Sequence, residues 1–139
     1  MIDPITASSL AVKLAASCVM SAKLIKNTIE SMRKVGEGLL ELLNRTERMR
    51  NILELLRKLL RELLDTPHRD MAIGLNEAAC TQTMTELKEL ATKIAKTKLS
   101  SSFLASAQWL HYESKARDLV RKLRDQEADI VNILVIIGV

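Results

Sequence analysis

The chain has 139 residues, 47% of them apolar and 27% charged, which suits one domain with a real core and argues against wholesale disorder. Aromatic residues make up only 2%, with four Gly and two Pro, whereas sheets need aromatic and β-branched residues with Gly and Pro at their turns. The net charge of +4 is spread along the chain without a run of five or six like charges, so nothing in it supports a nucleic-acid surface.

What the chain uses instead is Leu, Ala, Lys, Arg and Glu, the strong helix formers. Four helical segments are predicted over the whole chain, residues 1–139, as a single all-α, up-down four-helix bundle. The first opens at Asp3-Pro4, where Asp suits an N-cap and Pro the first helical position, and runs over about 4–32 to a stop near Gly36-Glu37-Gly38. The second covers about 38–64, with Leu39, Leu42, Thr46, Met49, Leu53, Leu56, Leu60 and Leu63 at the alternating spacing of a buried seam. Leu43, Ile52, Leu55 and Leu59 widen that stripe, so this helix is expected to be the central and most buried one. Asp65-Thr66-Pro67-His68 is a turn, with a short extra helix near 66–72 as the alternative. The third helix is placed at about 70–97 on Ile73, Cys80, Met84, Leu87, Ala91 and Ile94. After the break Ser100-Ser101-Ser102, the fourth is placed at about 104–136 on Trp109, Ala116, Leu119, Leu123, Ile130, Leu134 and Ile137. Short connections between long helices imply antiparallel neighbours.

The first helix departs from ordinary amphipathicity. At 100° per residue, Ala7, Leu10, Ala11, Leu14, Ala15, Cys18, Ala22, Ile25 and Ile29 share the face expected to hold the helix in the bundle. A second apolar set, Ile5, Val12, Ala16, Val19 and Met20, points where a soluble bundle normally places charge. Residues 5–22 are apolar at 12 of 18 positions, five of them Ala, which is weaker than a standing transmembrane helix. Two readings follow. Either neighbours enclose the second set and it is core, or the segment meets a bilayer or a partner, with Lys13, Lys23 and Lys26 drawn to anionic headgroups. Arg33 and Lys34 add to a local excess of +3 over residues 1–34.

Residues that could carry chemistry are few. Cys18, Cys80, His68 and His111 formally make a two-Cys, two-His set, but none has the short spacing of a zinc site. Cys80 lies on an apolar stripe and reads as a small buried side chain. Glu86/Glu89 and Asp125/Glu127/Asp129 sit among Lys and Arg and are expected to be solvated. No phosphate-binding glycine loop or nucleophile elbow occurs. Phe103, Trp109 and Tyr112 are expected to anchor the start of the fourth helix rather than to bind a ligand. The expectation is therefore a non-enzymatic chain with no cofactor, no metal, no small-molecule substrate and no nucleic acid. With no basic n-region before the first apolar stretch and no disulfide framework, it is expected to be intracellular.

The opening Met1-Ile2-Asp3-Pro4-Ile5-Thr6-Ala7-Ser8-Ser9 and the Ala/Ser-rich first helix resemble the start of fungal HeLo-like domains, the N-terminal domains of many fungal STAND/NOD-like receptors. The resemblance continues through the Leu-rich segment 39–64 and through Leu75 to Leu90, with Cys80 followed by Met84-Thr85-Glu86-Leu87. It extends from Ala107-Gln108-Trp109-Leu110 to Ile133-Leu134 and so spans nearly the whole chain. It implies a helical effector domain joined to, or encoded beside, a nucleotide-binding oligomerisation module, acting in cell death on non-self recognition. Activation in that family is thought to bring domains together and release the first helix into the plasma membrane, here about Ile5 to Leu24. The expected partners are thus an anionic membrane surface met conditionally, and a second copy or a partner helical domain. The chain would be cytoplasmic until activated. It departs from the family pattern in lacking a C-terminal amyloid-type motif and the extra helices of the larger prion-type members.

Overall fold

The computed structural model describes residues 1–32, 36–97 and 107–138. They form four helices, α1 (Pro4–Glu30), α2 (Glu37–Leu63), α3 (Glu77–Lys96) and α4 (Ala107–Gly138), which build an all-α bundle. Arg33, Lys34, Ser100-Ser101-Ser102, Phe103 and the expected start near 104 lie outside the described residues.

Local chemistry explains the helix ends. Asp3 caps α1: its Oδ1 accepts from the Thr6 N–H at 2.8 Å and its Oδ2 from the Thr6 hydroxyl at 3.0 Å, with Pro4 next. Those two donors hold the Asp3 carboxyl below its ordinary range. Asn76 caps α3 by accepting from the Ala79 N–H at 3.0 Å. Gly36 precedes α2 without a side-chain cap, and the Glu113 carboxylate of α4 lies against Gly36 and Gly38 instead.

The start of α3 differs from the expectation of about residue 70. Residues 71–76 are not helical, and Ile73, placed by periodicity on the α3 seam, pairs antiparallel with Ile2 through two backbone bonds of 3.1 and 2.7 Å. Asn76 offers a better cap than anything upstream, and Gly74 opposes a helix just before it. Residues 64–70 form turns around Thr66 and His68, so the short extra helix near 66–72 does not form.

The connection 64–76 also sets the topology. Each helix runs opposite to the one before it, yet α2 and α3 do not touch among the described residues. Around the bundle the order is α1, α2, α4, α3, with α1 diagonal to α4. Residues 64–76 cross one end of the bundle, so two neighbouring pairs, α1–α3 and α2–α4, run parallel. The rule that connected helices are antiparallel neighbours therefore holds for α1–α2 and α3–α4 but not for α2–α3. No helix is central: α2 meets α1 and α4 only.

The seams supply the core. All eight seam positions of α2 are buried, and Leu43 joins them, but Leu55 is 47% exposed and the stripe is narrower than expected on that side. Cys80, Met84, Leu87, Ala91 and Ile94 of α3 are buried, as are Trp109, Tyr112, Ala116, Leu119, Leu123 and Ile130 of α4. Ion pairs add cross-links. Glu127 meets Arg45 at 3.2 Å and Arg48 at 3.0 Å, and Glu41 meets Arg124 at 3.0 Å, all between α2 and α4. Glu86 meets Lys122 at 2.8 Å and Lys115 at 3.5 Å between α3 and α4. Gln126 donates to the Thr83 hydroxyl at 2.6 Å. Glu86 and Glu127 are thus helix-to-helix staples, 17% and 13% exposed, rather than the solvated carboxylates expected.

Candidate functional site

The two faces of α1 separate in space. Ala7, Leu10, Ala11, Leu14, Ala15, Cys18 and Ile25 are buried against α2 and α3, and Ala22 and Ile29 are half-buried. On the other side Ile5 is 66% exposed, Val12 44%, Val19 49% and Met20 51%. Ala16, Lys13, Lys23 and Lys26 are exposed with them. The neighbours do not enclose the second apolar set.

That set is split between two grooves. Val12, Ala16 and Val19 line a shallow one of about 220 Å³ against Leu53, Glu54 and Arg57 of α2. Ile5 and Lys13 border one of about 660 Å³ against α3, whose wall carries Glu77, Thr81, Thr85 and Lys88. Met20, Lys23 and Lys26 border neither.

How α1 is attached matters more than what it exposes. Among the described residues its only side-chain hydrogen bond to another helix is the Cys18 thiol on the Met84 thioether, at 3.7 Å. No ion pair joins it to a neighbour there, in contrast to the staples on α4. Its packing face is built largely of small side chains, with Ser8, Ser21 and Thr28 also buried. The Thr28 hydroxyl donates to the Leu24 carbonyl at 2.9 Å, but the Ser21 hydroxyl is buried without a hydrogen-bond partner. An unmade hydrogen bond there weakens the docked state, because the hydroxyl lost its water without compensation. These buried polar residues were not singled out by periodicity, since Ser and Thr in a helix read as polar whichever way they face.

By length and composition α1 alone among the described helices could cross a membrane, with 44% of its most apolar stretch buried in the bundle. A core helix of a soluble protein passes the same test. The exposed stripe differs from a core helix in carrying aliphatic side chains beside three cations. Exposed aliphatics also occur at the end of α4, where Val131, Val135 and Ile136 are 42%, 59% and 63% exposed. Val131 and Val135 stand i, i+4 beside the Ile130/Leu134/Ile137 seam, with Ile136 next to them.

Burial pushes the Cys18 thiol up to about 12 and the Cys80 thiol up to about 11, so both are protonated at neutral pH and neither is a thiolate nucleophile in the folded chain. His68 and His111 are exposed, far in character from the two buried cysteines. Among the described residues no group of three His, Cys, Asp or Glu side chains could hold a metal ion. Trp109 and Tyr112 are buried in the bundle near the start of α4.

Comparison with protein-family models, curated proteins and solved structures finds no match to this chain.

Proposed function

We propose that this chain is a membrane-perturbing effector domain whose first helix stays docked in the resting fold and is released when copies cluster. By its resemblance to HeLo-like domains, the setting is a fungal NLR-type cell-death system, with the protein cytoplasmic until activation and at the plasma membrane afterwards. The kind of attachment that holds α1, broad apolar packing on α2 and α3 without ionic staples, carries the proposal. This is the helix joined to its neighbours by no ion pair among the described residues, and its free side pairs Ile5, Val12, Val19 and Met20 with Lys13, Lys23 and Lys26.

Physically this is a population shift between docked and released α1. Packing of Leu10, Leu14, Cys18 and Ile25 favours docking. An anionic bilayer favours release by taking up the aliphatic stripe and by attracting each nearby lysine with about 1 kcal/mol. Clustering adds to the effect because several helices then meet the same patch of lipid.

Dye leakage from vesicles of anionic or zwitterionic lipid, with the protein held monomeric or clustered through a fused dimeriser, tests it. Leakage is expected only with anionic lipid and clustered protein, and Val12→Glu should abolish it while leaving the helical signal intact. Leakage that ignores both lipid charge and Val12→Glu overturns the proposal.

A second reading is an adaptor whose apolar surface binds a partner helix or a second copy, favoured by the groove that Val12, Ala16 and Val19 form with Leu53. A stable complex that forms without lipid and is lost in Val12→Glu would select it.

A further inference from the structure

The N-terminal arm holds α1 by a device separate from helix packing. Ile2 donates its N–H to the Ile73 carbonyl at 3.1 Å and accepts from the Ile73 N–H at 2.7 Å. This isolated antiparallel pair ties the residue before the Asp3 cap to the connection between α2 and α3. Ile73 is 1% exposed and Ile2 half-buried, so water does not readily compete for the two bonds. Met1 reaches over the same place, its methyl lying 3.8 Å from where a Cβ on Gly74 would sit. Beyond this arm, α1 is fixed by apolar contact and one weak thiol bond among the described residues.

We infer that the Ile2–Ile73 pair is a latch that sets how often α1 leaves the bundle. The idea builds on the proposed release of α1, and it names the contact that must open first. Helix packing without directional bonds lets α1 slide and tilt, whereas two backbone bonds at its entry fix the register of the whole helix. Once they part, Asp3 and Pro4 are free to lift and the small-residue face can peel away from its first turn. The location suits control from outside. The latch lies at the bundle end, against Met71, Ile133, Ile136 and Ile137, where a groove of about 320 Å³ opens to solvent.

The pair can be locked or broken in the full chain. Residues that exchange both backbone bonds across antiparallel strands have Cα atoms roughly 5.5 Å apart, within disulfide range. Ile2→Cys/Ile73→Cys can therefore be closed by oxidation and reopened by reductant in the same molecule. Cys18 and Cys80 are buried and do not compete for the bridge. Ile2→Pro removes the Ile2 donor, and Ile2→Ala, which trims the same side chain from the edge of the core but keeps the donor, is its reference.

Amide hydrogen exchange supplies a readout that needs no membrane. Relative to Ile2→Ala, Ile2→Pro should speed exchange of the α1 amides by up to about tenfold, the effect of losing one net hydrogen bond. The oxidised pair should slow them relative to its reduced form, with α2 and α4 amides moving much less in both cases. Unchanged α1 exchange, or changes that affect α2 and α4 equally, would show ordinary stabilisation and overturn the latch. Vesicle leakage is the second arm. Loss of leakage on oxidation and its return on reduction support the latch as the gate, and a locked form that still leaks sinks it. If α1 exchange responds as expected but no form leaks, the latch stands and the membrane proposal falls.

Discussion

Leu14→Ala separates docking of α1 from stability of the whole bundle. Leu14 is 4% exposed on the packing face of α1 and borders the groove against α3. Truncation to Ala removes three carbons, worth about 0.8 kcal/mol each, so roughly 2.4 kcal/mol before any cavity term. The neighbouring groove admits solvent and lets the site relax, which places the cost near the lower end of the usual range of about 2–5 kcal/mol for Leu→Ala. If α1 docking is an equilibrium of its own, that loss falls on it directly and raises the released fraction roughly 50-fold. Leu119→Ala in α4 is the control, since Leu119 is fully buried on a helix held by ion pairs. Urea unfolding followed by far-UV circular dichroism should show a loss at least as large for Leu119→Ala as for Leu14→Ala. Anionic-vesicle leakage should rise for Leu14→Ala and stay at the parent rate for Leu119→Ala. Equal leakage from the two at matched stability would refute independent docking of α1.

Replacing Lys13, Lys23 and Lys26 together by Glu should weaken co-sedimentation with anionic vesicles by at least about 100-fold, at about 1 kcal/mol per lysine, with the urea midpoint unchanged. Acid unfolding should depend on Glu86, whose carboxyl the Lys122 ammonium holds below its ordinary value of 4.5. A lowered folded pKa means the contribution is complete above about 4.5 and fades as pH falls through the folded value, so Glu86→Gln should flatten the acid limb of stability against pH. Lys122 is raised above its ordinary 10.5 by the same pair, so its share persists through neutral pH and is lost only as pH climbs past the raised value. Gly38→Ala should cost little, because the atom nearest the new Cβ, Glu113 Oε2 at 2.5 Å, ends a flexible side chain that can swing aside and leave contacts of 3.4 Å to Arg117 Cγ and the Glu113 carbonyl oxygen. Urea unfolding of Gly38→Ala with and without Glu113→Ala should give little coupling in a double-mutant cycle, and a large loss confined to the Glu113 background would refute that reading.

Much of the fold could be read from spacing alone. The Leu39 to Leu63 seam of α2 stands out because large aliphatics recur at helical intervals against charged intervals, and every seam residue is buried. The divided faces of α1 were visible for the same reason. What spacing could not reveal is pairing between distant segments. Ile73 fits a helical period by coincidence, and its real partner, Ile2, lies 71 positions earlier. Nothing local distinguishes Glu127, which joins two helices, from a carboxylate in water, since its partners Arg45 and Arg48 belong to α2. Leu55 fails as core because a four-membered ring gives α2 only two neighbours, and a stripe widened on one side meets no third. The diagonal step from α2 to α3 is a matter of connection length, which sets what can be reached and not which slot is taken.

The circular order of the helices governs what remains when one is taken out. Subtracting α1 leaves α2, α4 and α3 side by side in an unbroken row, with α4 in the middle and ionically riveted to both flanks. Had α4 been subtracted instead, every one of those rivets would go with it. The bundle is thus asymmetric in which bonds each loss removes: without its opening segment the remaining staves keep every ionic rivet, while α2 and α3 each bare the apolar flank it had covered.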